Sequence, residues 1–512
     1  MNGSRKVNVR KNLIAGILNK MVGTLSPFIV RSIIIYMLGE QFLGLSSLFE
    51  SILQVLNLAE LGFTSAVVFS LYKPFSENDE DAICALLFFY RKIYRIIGLI
   101  ILVAGILVMP FVPYIIKGGY PNTINIYVLY FLYLANTVIS YLLFSYKRVL
   151  LTADQKVGVL NNINTTISVL RCIAQFVVLY FWKNYYAFFL CVIMATIIDN
   201  LAVAYITKKK FPQYVCRGLI DSDTKQSIKQ QVFGLSINKV CTTTRNSFDN
   251  IFLSAFCGLI DVAIYSNYFL VHQALLNFFN MAKEAFVASV GNSIVERSAE
   301  RNYADFKKIN VAFIFFVDFS TICLVCLYSP FMKIWTKNKL VADEMIPFLF
   351  GTYFFILGAG IVRSLYQSAR GVWWNLRWFS VGEAVCNVSL NAVLGKLFGM
   401  TGILIATIIS VSVFSFGFNG HQLFKEYFKT GEKEYFLEIL LHGVMSLLIA
   451  YVINRIPILS GNIWQEFFIK AVVSFLSAIV ILSAVIVIVP RYRGYLKSII
   501  GIKSIFKYEN DL

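Results

Sequence analysis

The sequence predicts an all-α, polytopic membrane protein with about fourteen transmembrane helices, and two observations support this fold class. First, 58% of the 512 residues are hydrophobic and only 14% are charged, whereas soluble domains carry about 25% charged residues. Second, the apolar segments are continuous runs of about 20 residues without polar alternation, which is typical of membrane helices. The longest polar interval, 208–231, is too short to bury a core of its own. A large soluble catalytic domain is therefore excluded.

Polar breaks divide the apolar runs into groups of six, six and two candidate spans. In order, the spans are 12–38, 42–71, 93–116, 124–144, 159–181, 186–206, 233–256, 262–289, 311–327, 345–365, 378–398, 402–418, 435–453 and 467–489. This grouping predicts an N-terminal lobe (1–207), a cytoplasmic linker (208–232), a C-terminal lobe (233–421), and two extra helices with a basic tail (422–512). Twelve full spans are the alternative if two short helices lie in the membrane interface.

The charge distribution predicts the orientation. The chain carries 46 Lys and Arg against 28 Asp and Glu, a net charge of +18. With the N-terminus inside, about 31 basic residues fall on the cytoplasmic side and about 7 on the outer side, in agreement with the positive-inside rule. Both termini are therefore predicted to be cytoplasmic, and the basic excess needs no nucleic acid to explain it. Cys323 and Cys326 lie in an apolar run, so we expect them to pack there and expect no metal site.

Charged residues inside the predicted spans are the candidate functional residues, because each is costly when it faces lipid. The basic ones are Lys20, Arg31, Arg171, Lys239, Arg245, Lys283, Arg363 and Lys470. The acidic ones are Glu50, Glu60, Asp199, Asp249, Glu284, Asp318 and Glu383. The basic excess predicts a central cationic cavity, which suits an anionic solute or the headgroup of an anionic lipid, since Arg binds phosphate in a bidentate manner.

Alternative explanations exist for several of these charges. Lys20 lies close enough to a span end to snorkel to the interface. Arg245 and Asp249 are spaced i, i+4 and would pair locally on one helix face. Adjacent Lys283 and Glu284 are not expected to face each other, so at least one should find another partner.

A weak internal repeat relates the two predicted lobes. Residues 39, 44, 45 and 47 align with 258, 263, 264 and 266 at one constant offset, and each set joins the first helix of its half to the second. Two-fold repeats of this kind are common in transporters. Pro27 in the first span, and Pro110 and Pro113 near the end of the third, are the predicted helix breaks.

Several segments together resemble a known family. They are Arg31 followed by LGEQFLGL (38–45), LAELGFTSA (58–66), RVLLTADQK (148–156), SFDNIFL (247–253) and YSNY (265–268). With the helix pattern of the whole chain, they look like Wzx-type flippases for O-antigen, capsule and exopolysaccharide repeat units. These proteins belong to the polysaccharide transporter family of the multidrug, oligosaccharidyl-lipid and polysaccharide (MOP) exporter superfamily.

The resemblance implies two pseudo-symmetric six-helix lobes plus two C-terminal helices around the cationic cavity. It implies movement of undecaprenyl-diphosphate-linked oligosaccharides across the bacterial cytoplasmic membrane by alternating access, in concert with a polysaccharide polymerase and a chain-length regulator. Substrate binding is then expected at Arg31, Arg171, Lys239, Arg245 and Arg363, with Lys20 and Lys283 as further candidates. Asp249, Glu60 and Glu383 are the candidates for coupling to a Na⁺ or H⁺ gradient. No other cofactor is expected.

Other functions remain open at this point. Within the superfamily they are a peptidoglycan lipid II flippase and a MATE-type multidrug exporter, although exporters of organic cations should favour acidic cavities. From a different class, a membrane-embedded glycan polymerase or acyltransferase would need a long outer loop or a well-placed His. Only His272, His421 and His442 are present, and we interpret His272 as a packing residue.

Overall fold

A computed structural model of the chain describes residues 2–60, 62–372, 375–457 and 462–500, and in these ranges it contains helices and no strand. The α-helices are α1 (Asn2–Met37), α2 (Glu40–Leu56), α3 (Phe63–Glu77), α4 (Glu80–Val108), α5 (Ile126–Leu142), α6 (Arg148–Ala153), α7 (Val157–Trp182), α8 (Tyr185–Lys210), α9 (Ser222–Phe256), α10 (Leu259–Glu296), α11 (Ala299–Thr336), α12 (Met345–Ala359), α13 (Ile361–Arg370), α14 (Arg377–Ser410), α15 (Asn419–Leu423), α16 (Glu432–Arg455), α17 (Ile463–Ile488) and α18 (Pro490–Ile500). The all-α polytopic fold class is confirmed. The predicted basic tail lies outside the described residues beyond residue 500.

Within the described ranges, ten helices are long and apolar enough to cross a membrane, or eleven if the bent pair Ile126–Leu142 and Phe144–Ala153 forms one span. Fourteen spans were predicted, and the difference has three physical sources. The predicted span 42–71 divides into α2 and α3, and α2 has only 17 residues. Helix α9 is too polar, and the two predicted spans 378–398 and 402–418 lie in one long helical stretch, Arg377–Phe428.

Local sequence signals account for the helix starts. Asn125 and Asn184 precede α5 and α8, and each side-chain oxygen accepts two backbone N–H groups of the first turn. Asp221 caps α9 by accepting the Thr224 N–H at 2.8 Å. Hydrogen bonding to Thr224 holds the pKa of the Asp221 carboxyl below its usual range.

Three predicted features differ in detail. Pro110 and Pro113 lie in a 3₁₀ segment, Met109–Ile115, as expected for a break, whereas α1 continues through Pro27 without interruption. The predicted linker 208–232 is partly helical, because α9 begins at Ser222. In α14 the backbone at Gly399 is non-helical (φ 58°), which places the predicted break inside one helix.

The chain divides into two compact units, Met1–Ala263 and Ile264–Leu512. In the first, α1 packs on α7, α4 on α5, and α9 on α2 and α3. In the second, α11 is central and packs against α12, α16 and α17. Cys326 is part of the buried apolar cluster between α11, α16 and α17. Because α9 packs within the first unit, the units do not follow the predicted lobe boundaries, which stay a prediction.

The two junctions that carry the predicted repeat share one backbone geometry. Gly39 follows α1 with φ 111°, and Gly258 follows α9 with φ 106°. The N–H of Gly39 donates to Ile34 O (3.0 Å), and the N–H of Gly258 donates to Leu253 O (2.9 Å). Both are six-residue hydrogen bonds that close a helix C-terminus, and in both places the donor is a glycine with positive φ. The offset found in the sequence therefore corresponds to the same helix ending in both places.

Candidate functional site

Two arginines and one carboxylate converge in the first unit. Arg31 lies on α1, Arg171 near the middle of α7, and Glu50 on α2. The charges of both guanidinium groups act on the Glu50 carboxyl. Arg31 and Arg171 are half-buried and Glu50 is exposed, so the group is reachable. We call these three residues the arginine site; its formal charge is positive.

One donor of the arginine site has no protein partner among the described residues. The Nη2 of Arg31 donates to the Ser47 hydroxyl at 3.5 Å, a long contact. The Nε of Arg171 is buried and has no hydrogen-bond partner among the described residues. A buried guanidinium N–H without a partner costs free energy, which an anionic ligand would recover.

Hydroxyl groups extend the arginine site on the α2 side. The Ser46 hydroxyl donates to Glu50 Oε1 at 3.3 Å and accepts the Tyr133 hydroxyl at 3.0 Å. The hydroxyls of Tyr133 and Tyr185 are 2.8 Å apart. This network holds Glu50 in place, and it contains donors and acceptors of the type that bind sugar hydroxyls.

The helices that carry the two arginines also present apolar side chains on the outside. On α1, Leu25 and Ile29 are exposed, and on α7, Leu170, Ile173 and Phe176 are exposed around Arg171. In a membrane such faces contact acyl chains. The charged site thus lies directly beside apolar helix surface.

A second polar cluster in the first unit surrounds Glu60. Its carboxylate accepts the hydroxyls of Tyr94 (2.5 Å), Tyr141 (2.5 Å) and Thr64 (3.1 Å). These groups line a cavity of about 190 Å³ together with Arg148. Three hydroxyl donors already satisfy the Glu60 carboxylate. Binding of a cation or a proton to Glu60 therefore requires these hydrogen bonds to rearrange.

Arg148, which lines this cavity, is held by an ion pair. The Nη2 of Arg148 donates to Asp199 Oδ2, and its Nη1 donates to Asn164 Oδ1 at 3.3 Å. The remaining carboxylate oxygen of Asp199 is buried without a hydrogen-bond partner among the described residues. Arg148 begins the RVLLTADQK segment that resembles the flippase family, so the structure gives this segment a helix-pairing role.

The predicted site residues of α9 lie in two different environments. Lys239 is exposed. Arg245 and Asp249 lie one turn apart and are 6% and 1% exposed. Neighbouring α9 side chains bind α2: Asn250 donates to Ser51 at 2.9 Å.

Arg363 has a different environment in the second unit. It is 4% exposed, and its Nη1 donates to the backbone oxygens of Ser415 (2.5 Å) and Phe416 (3.1 Å). These two carbonyls belong to a π-helical segment, Val411–Phe418, whose wider turn leaves carbonyls available to a side chain. The buried Glu383 also acts electrostatically on Arg363.

The expectation for Lys283 and Glu284 is wrong. Their Nζ and Oε1 atoms lie 3.5 Å apart, because two long side chains at adjacent positions bend towards each other around the helix. Glu284 is largely exposed, so this is a peripheral pair. Lys20 is exposed on α1, where snorkelling was the alternative.

The sequence analysis assigned no role to two groups that the structure brings together. Glu50 was noted only as an intramembrane acid, yet it is the centre of the arginine site. Asp318 and His442, 124 positions apart, form a hydrogen bond of 2.6 Å. Sequence spacing does not reveal either contact, although an acidic residue inside an apolar run is a signal worth following.

A third such group is an amide and hydroxyl cluster in the second unit. Asn387 Nδ2 donates to Thr407 Oγ1 at 3.0 Å, and Asn391 Nδ2 donates to Asn387 Oδ1 at 3.2 Å. All three residues are fully buried. They join the two halves of α14 on either side of the break at Gly399.

Comparison with solved structures identifies the fold. The chain is similar to lipid II flippase MurJ in an inward closed conformation, with a TM-score of 0.62 and 14% identity over 93% of this chain and 98% of that one. It is similar to a multidrug resistance MATE family transporter of the MOP superfamily in an inward-facing conformation (TM-score 0.58, 13% identity, 86% and 99% covered). A third neighbour is a MOP superfamily transporter from Pyrococcus furiosus (0.51, 12%, 87% and 96%), described as having a binding pocket of reverse polarity.

No protein-family profile matches the chain, and no curated protein matches it in sequence. At identities of 12–14% the similarity establishes the architecture. The chain has the fold of MOP superfamily transporters, as the sequence analysis expected.

Proposed function

We propose that this protein moves undecaprenyl-diphosphate-linked oligosaccharide repeat units across the bacterial cytoplasmic membrane for surface polysaccharide synthesis. One observation carries the proposal: the charges of Arg31 and Arg171, which lie on two helices long and apolar enough to cross a membrane, both act on Glu50, and the buried Nε of Arg171 has no hydrogen-bond partner among the described residues. The fold of MOP transporters is the setting in which such a site would operate.

The headgroup chemistry explains why two arginines are needed. A diphosphate cannot cross hydrocarbon unaided, because an isolated charge loses many kcal/mol of hydration there. Guanidinium groups replace that hydration with charge-assisted, bidentate hydrogen bonds. In our proposal the diphosphate competes with Glu50 for Arg31 and Arg171, and Glu50 takes the arginines back when the headgroup leaves. Binding is then strong enough to capture the cargo and weak enough to release it.

The remaining parts of the cargo fit the surroundings of the arginine site. The exposed apolar residues of α1 and α7 offer a surface for a polyprenyl chain next to the charged group. The hydroxyl network of Ser46, Tyr133 and Tyr185 offers donors and acceptors for sugar hydroxyls. An amphipathic, lipid-linked anion would use the apolar surface and the hydroxyl groups as well as the arginines. A small soluble anion would use only the arginines.

Further elements of the proposal rest on the sequence. Lys239, Arg245 and Arg363, with Lys20 and Lys283, are the other candidates for substrate contact, and Arg363 would have to exchange its backbone partners to take part. Asp249, Glu60 and Glu383 are the candidates for coupling to a Na⁺ or H⁺ gradient. We place both termini in the cytoplasm and expect a polysaccharide polymerase and a chain-length regulator as functional partners.

A lipid II flippase is the second candidate, since its cargo carries the same diphosphate and the solved neighbour of that name has this fold. A multidrug exporter of organic cations is less suited to a site with two arginines and one carboxylate. The solved neighbours are transporters and flippases by name, and a polymerase or acyltransferase finds no support in the site.

Deletion of the gene in its native host tests the proposal. Lipid-linked saccharides are measured by mass spectrometry and surface glycan by immunoblot, in the deletion strain and after rescue with wild type, Arg31→Ala or Arg171→Lys. We expect complete repeat units to accumulate and surface polymer to disappear in the deletion strain. Wild type should restore the polymer, and both variants should fail. Lys209→Gln, an exposed basic residue at the end of α8, is the matched control and should rescue fully.

Three results would contradict the proposal. Accumulation of lipid II with normal surface glycan would move the protein to the peptidoglycan branch. Unchanged lipid intermediates with altered tolerance to cationic drugs would identify a multidrug exporter instead. Rescue by Arg31→Ala at wild-type protein level would remove the arginine site from the mechanism.

A further inference from the structure

A second buried ionisable pair lies in the unit formed by Ile264–Leu512. Asp318 on α11 is 0% exposed and His442 on α16 is 4% exposed. The Nδ1 of His442 lies 2.6 Å from Asp318 Oδ2, and the Ser446 hydroxyl donates to Asp318 Oδ1 at 2.7 Å. Both carboxylate oxygens are thus held by α16, so a charge on Asp318 has one titratable neighbour, the imidazole.

The imidazole is connected onwards to α18. Its Nε2 lies 3.0 Å from the Tyr492 hydroxyl, and the Phe315 ring packs against the rings of both His442 and Tyr492. The Glu438 carboxyl, one turn before His442 on α16, acts on the same tyrosine hydroxyl. One oxygen of Glu438 is buried without a hydrogen-bond partner among the described residues. The polar groups therefore form a chain through an otherwise aromatic environment.

This chain leads to one end of the helix bundle in this unit. Glu438 lies in the second turn of α16, which begins at Glu432, and Tyr492 lies in the first turn of α18. Arg491 also acts on Tyr492 and pairs with Glu434 at the start of α16. Asp318, 19 residues after the start of α11, is the inner end of the chain, and Glu434 is the outer end.

The other titratable groups on the surrounding helices lie elsewhere. On α17 they are Glu466 and Lys470, which pair with each other, and Glu466 also lies 3.5 Å from Lys333. Lys333 is 15 residues beyond Asp318 on α11, about 22 Å along the helix. On α12 the only such group is Tyr353, which stacks on His272. Within the described residues, Glu434, Glu438 and Arg491 are the charged groups at the outer end of this chain of polar contacts. Tyr303 on α11 and Tyr495 on α18 are further titratable groups beside them.

We propose that Asp318 and His442 form a proton-binding site that exchanges protons with solution through Tyr492 and Glu438. With neutral His442, Nδ1–H donates to ionised Asp318 and Nε2 accepts the Tyr492 hydroxyl. Uptake of one proton places it on Nε2: Tyr492 passes its O–H proton to Nε2 and receives another from Glu438, which is reprotonated from solution. The imidazolium then donates to both Asp318 and Tyr492, and the Tyr492 hydroxyl, which donated to Nε2 before the transfer, now donates to Glu438.

The site connects α11 to the C-terminal helices α16 and α18, for which the sequence suggested no role. Protonation makes His442 a donor at both nitrogens. The bond to Asp318 then joins an imidazolium and a carboxylate, and the bond to Tyr492 reverses its direction. As a coupling site for transport, this proton rests on the proposed function. The binding of the proton does not, because it needs no cargo.

Nitrogen NMR of the full-length protein in lipid nanodiscs tests the site directly. The chain has only three histidines, so ¹⁵N labelling of imidazoles gives three pairs of signals, and His442→Gln and His421→Gln assign them. We expect the ring nitrogens of His442 to change reversibly from one proton to two protons as the pH is lowered. A His442 signal that stays in one form throughout, in the unmodified protein, overturns the proposal.

Variants separate a proton site from a packing contact. Asp318→Asn should lower the ratio of protonated to neutral His442 at a fixed pH by about tenfold or more, since it removes an adjacent negative charge. Ser446→Ala removes only a hydrogen bond and should change that ratio much less. Tyr492→Phe should leave the ratio near the native value and slow exchange between the two forms. An equal ratio in Asp318→Asn, or unchanged exchange in Tyr492→Phe, contradicts the assigned roles.

The NMR experiment on His442 and the export assay test the two proposals separately. A titrating His442 in a protein that does not restore surface polysaccharide would refute the proposed function and leave the proton site. Full export with a His442 that does not titrate would refute the proton site and leave the proposed function.

Discussion

Arg31 and Arg363 are both arginines in apolar runs, yet the two units of the molecule surround them differently. In the first unit, Arg31 is half-buried and faces the side chains of Ser47 and Glu50. In the second, Arg363 is almost completely buried and donates to the backbone oxygens of Ser415 and Phe416. A ligand can displace a side-chain partner at little cost, whereas it cannot replace backbone carbonyls without breaking a helix.

The contrast between Arg31 and Arg363 gives a criterion for separating functional from structural arginines in membrane helices. A functional arginine keeps accessible N–H groups and exchangeable partners, and a structural one satisfies backbone groups that have no alternative partner. By this criterion Arg31 is a candidate for anion binding, and Arg363, whose Nη1 donates to two backbone oxygens, stabilises the π-helical segment Val411–Phe418. The next two predictions each test one side of that division.

Removal of Arg363 should have the largest effect on stability. Arg363→Met preserves most of the volume but leaves two buried carbonyls without their donor, and we expect a loss of about 3–5 kcal/mol in the free energy of unfolding. Thermal unfolding in detergent, followed by intrinsic fluorescence, measures it. Arg301→Met, at an exposed position in the same unit, is the matched control. Equal unfolding temperatures for the two variants would show that the carbonyl contacts of Arg363 are dispensable.

Removal of Arg31 should affect transport and leave stability nearly unchanged. Loss of one hydrogen-bonded charge partner of a ligand costs about 2–5 kcal/mol, or about 30-fold or more in affinity. We expect surface polysaccharide to fall accordingly in Arg31→Ala and Arg171→Ala, with unfolding temperatures close to wild type. A drop in stability as large as that of Arg363→Met would contradict the division between the two units.

The sequence was sufficient for the fold class and for most helix positions. Continuous apolar runs determine membrane helices because the bilayer leaves the backbone no other way to satisfy its hydrogen bonds. It was insufficient where neighbouring helices decide the outcome. The break between α2 and α3 at Asn57–Glu60, and the π-helical turns after α14, have no signal in hydropathy.

The candidate site was predictable in part. Arg31 and Arg171 stand out because each is a charge deep within an apolar run, and the structure brings them together through the packing of α1 on α7. Their shared partner Glu50 was not predictable, because α7 is far from α1 and α2 in sequence and hydropathy does not show how the three helices pack. The same holds for Asp318 and His442, whose contact depends on how α16 packs on α11.

The helix endings at Gly39 and Gly258 provide a second comparison, for which we expect effects of intermediate size on the unfolding temperature. Both have positive φ, where a side chain costs about 1–3 kcal/mol. A Cβ at Gly39 has no atom within 4 Å, whereas at Gly258 it would lie 2.9 Å from the backbone oxygen of Lys117. Gly258→Ala should therefore lower the unfolding temperature more than Gly39→Ala does. The reverse order would mean that the two junctions differ in a way that backbone geometry does not capture.

The smallest effect on stability is expected when the exposed ion pair of Arg217 with Asp81 is broken. The half-buried ion pair of Arg148 with Asp199 is the comparison. Arg217 and Asp81 are 3.1 Å apart, but their side chains are 62% and 89% exposed, against 28% and 18% for Arg148 and Asp199. Water and salt screen the exposed pair, so Arg217→Ala should cost less than about 1 kcal/mol of unfolding free energy, and that cost should vanish in high salt. Arg148→Ala leaves the carboxyl of Asp199 in a site that already holds one unsatisfied oxygen, so its cost should be larger and persist in salt. The measurement is the unfolding temperature of each variant at low and at high ionic strength. If the loss of stability in Arg148→Ala also disappears in high salt, water reaches the pair of Arg148 and Asp199 as freely as it reaches Arg217.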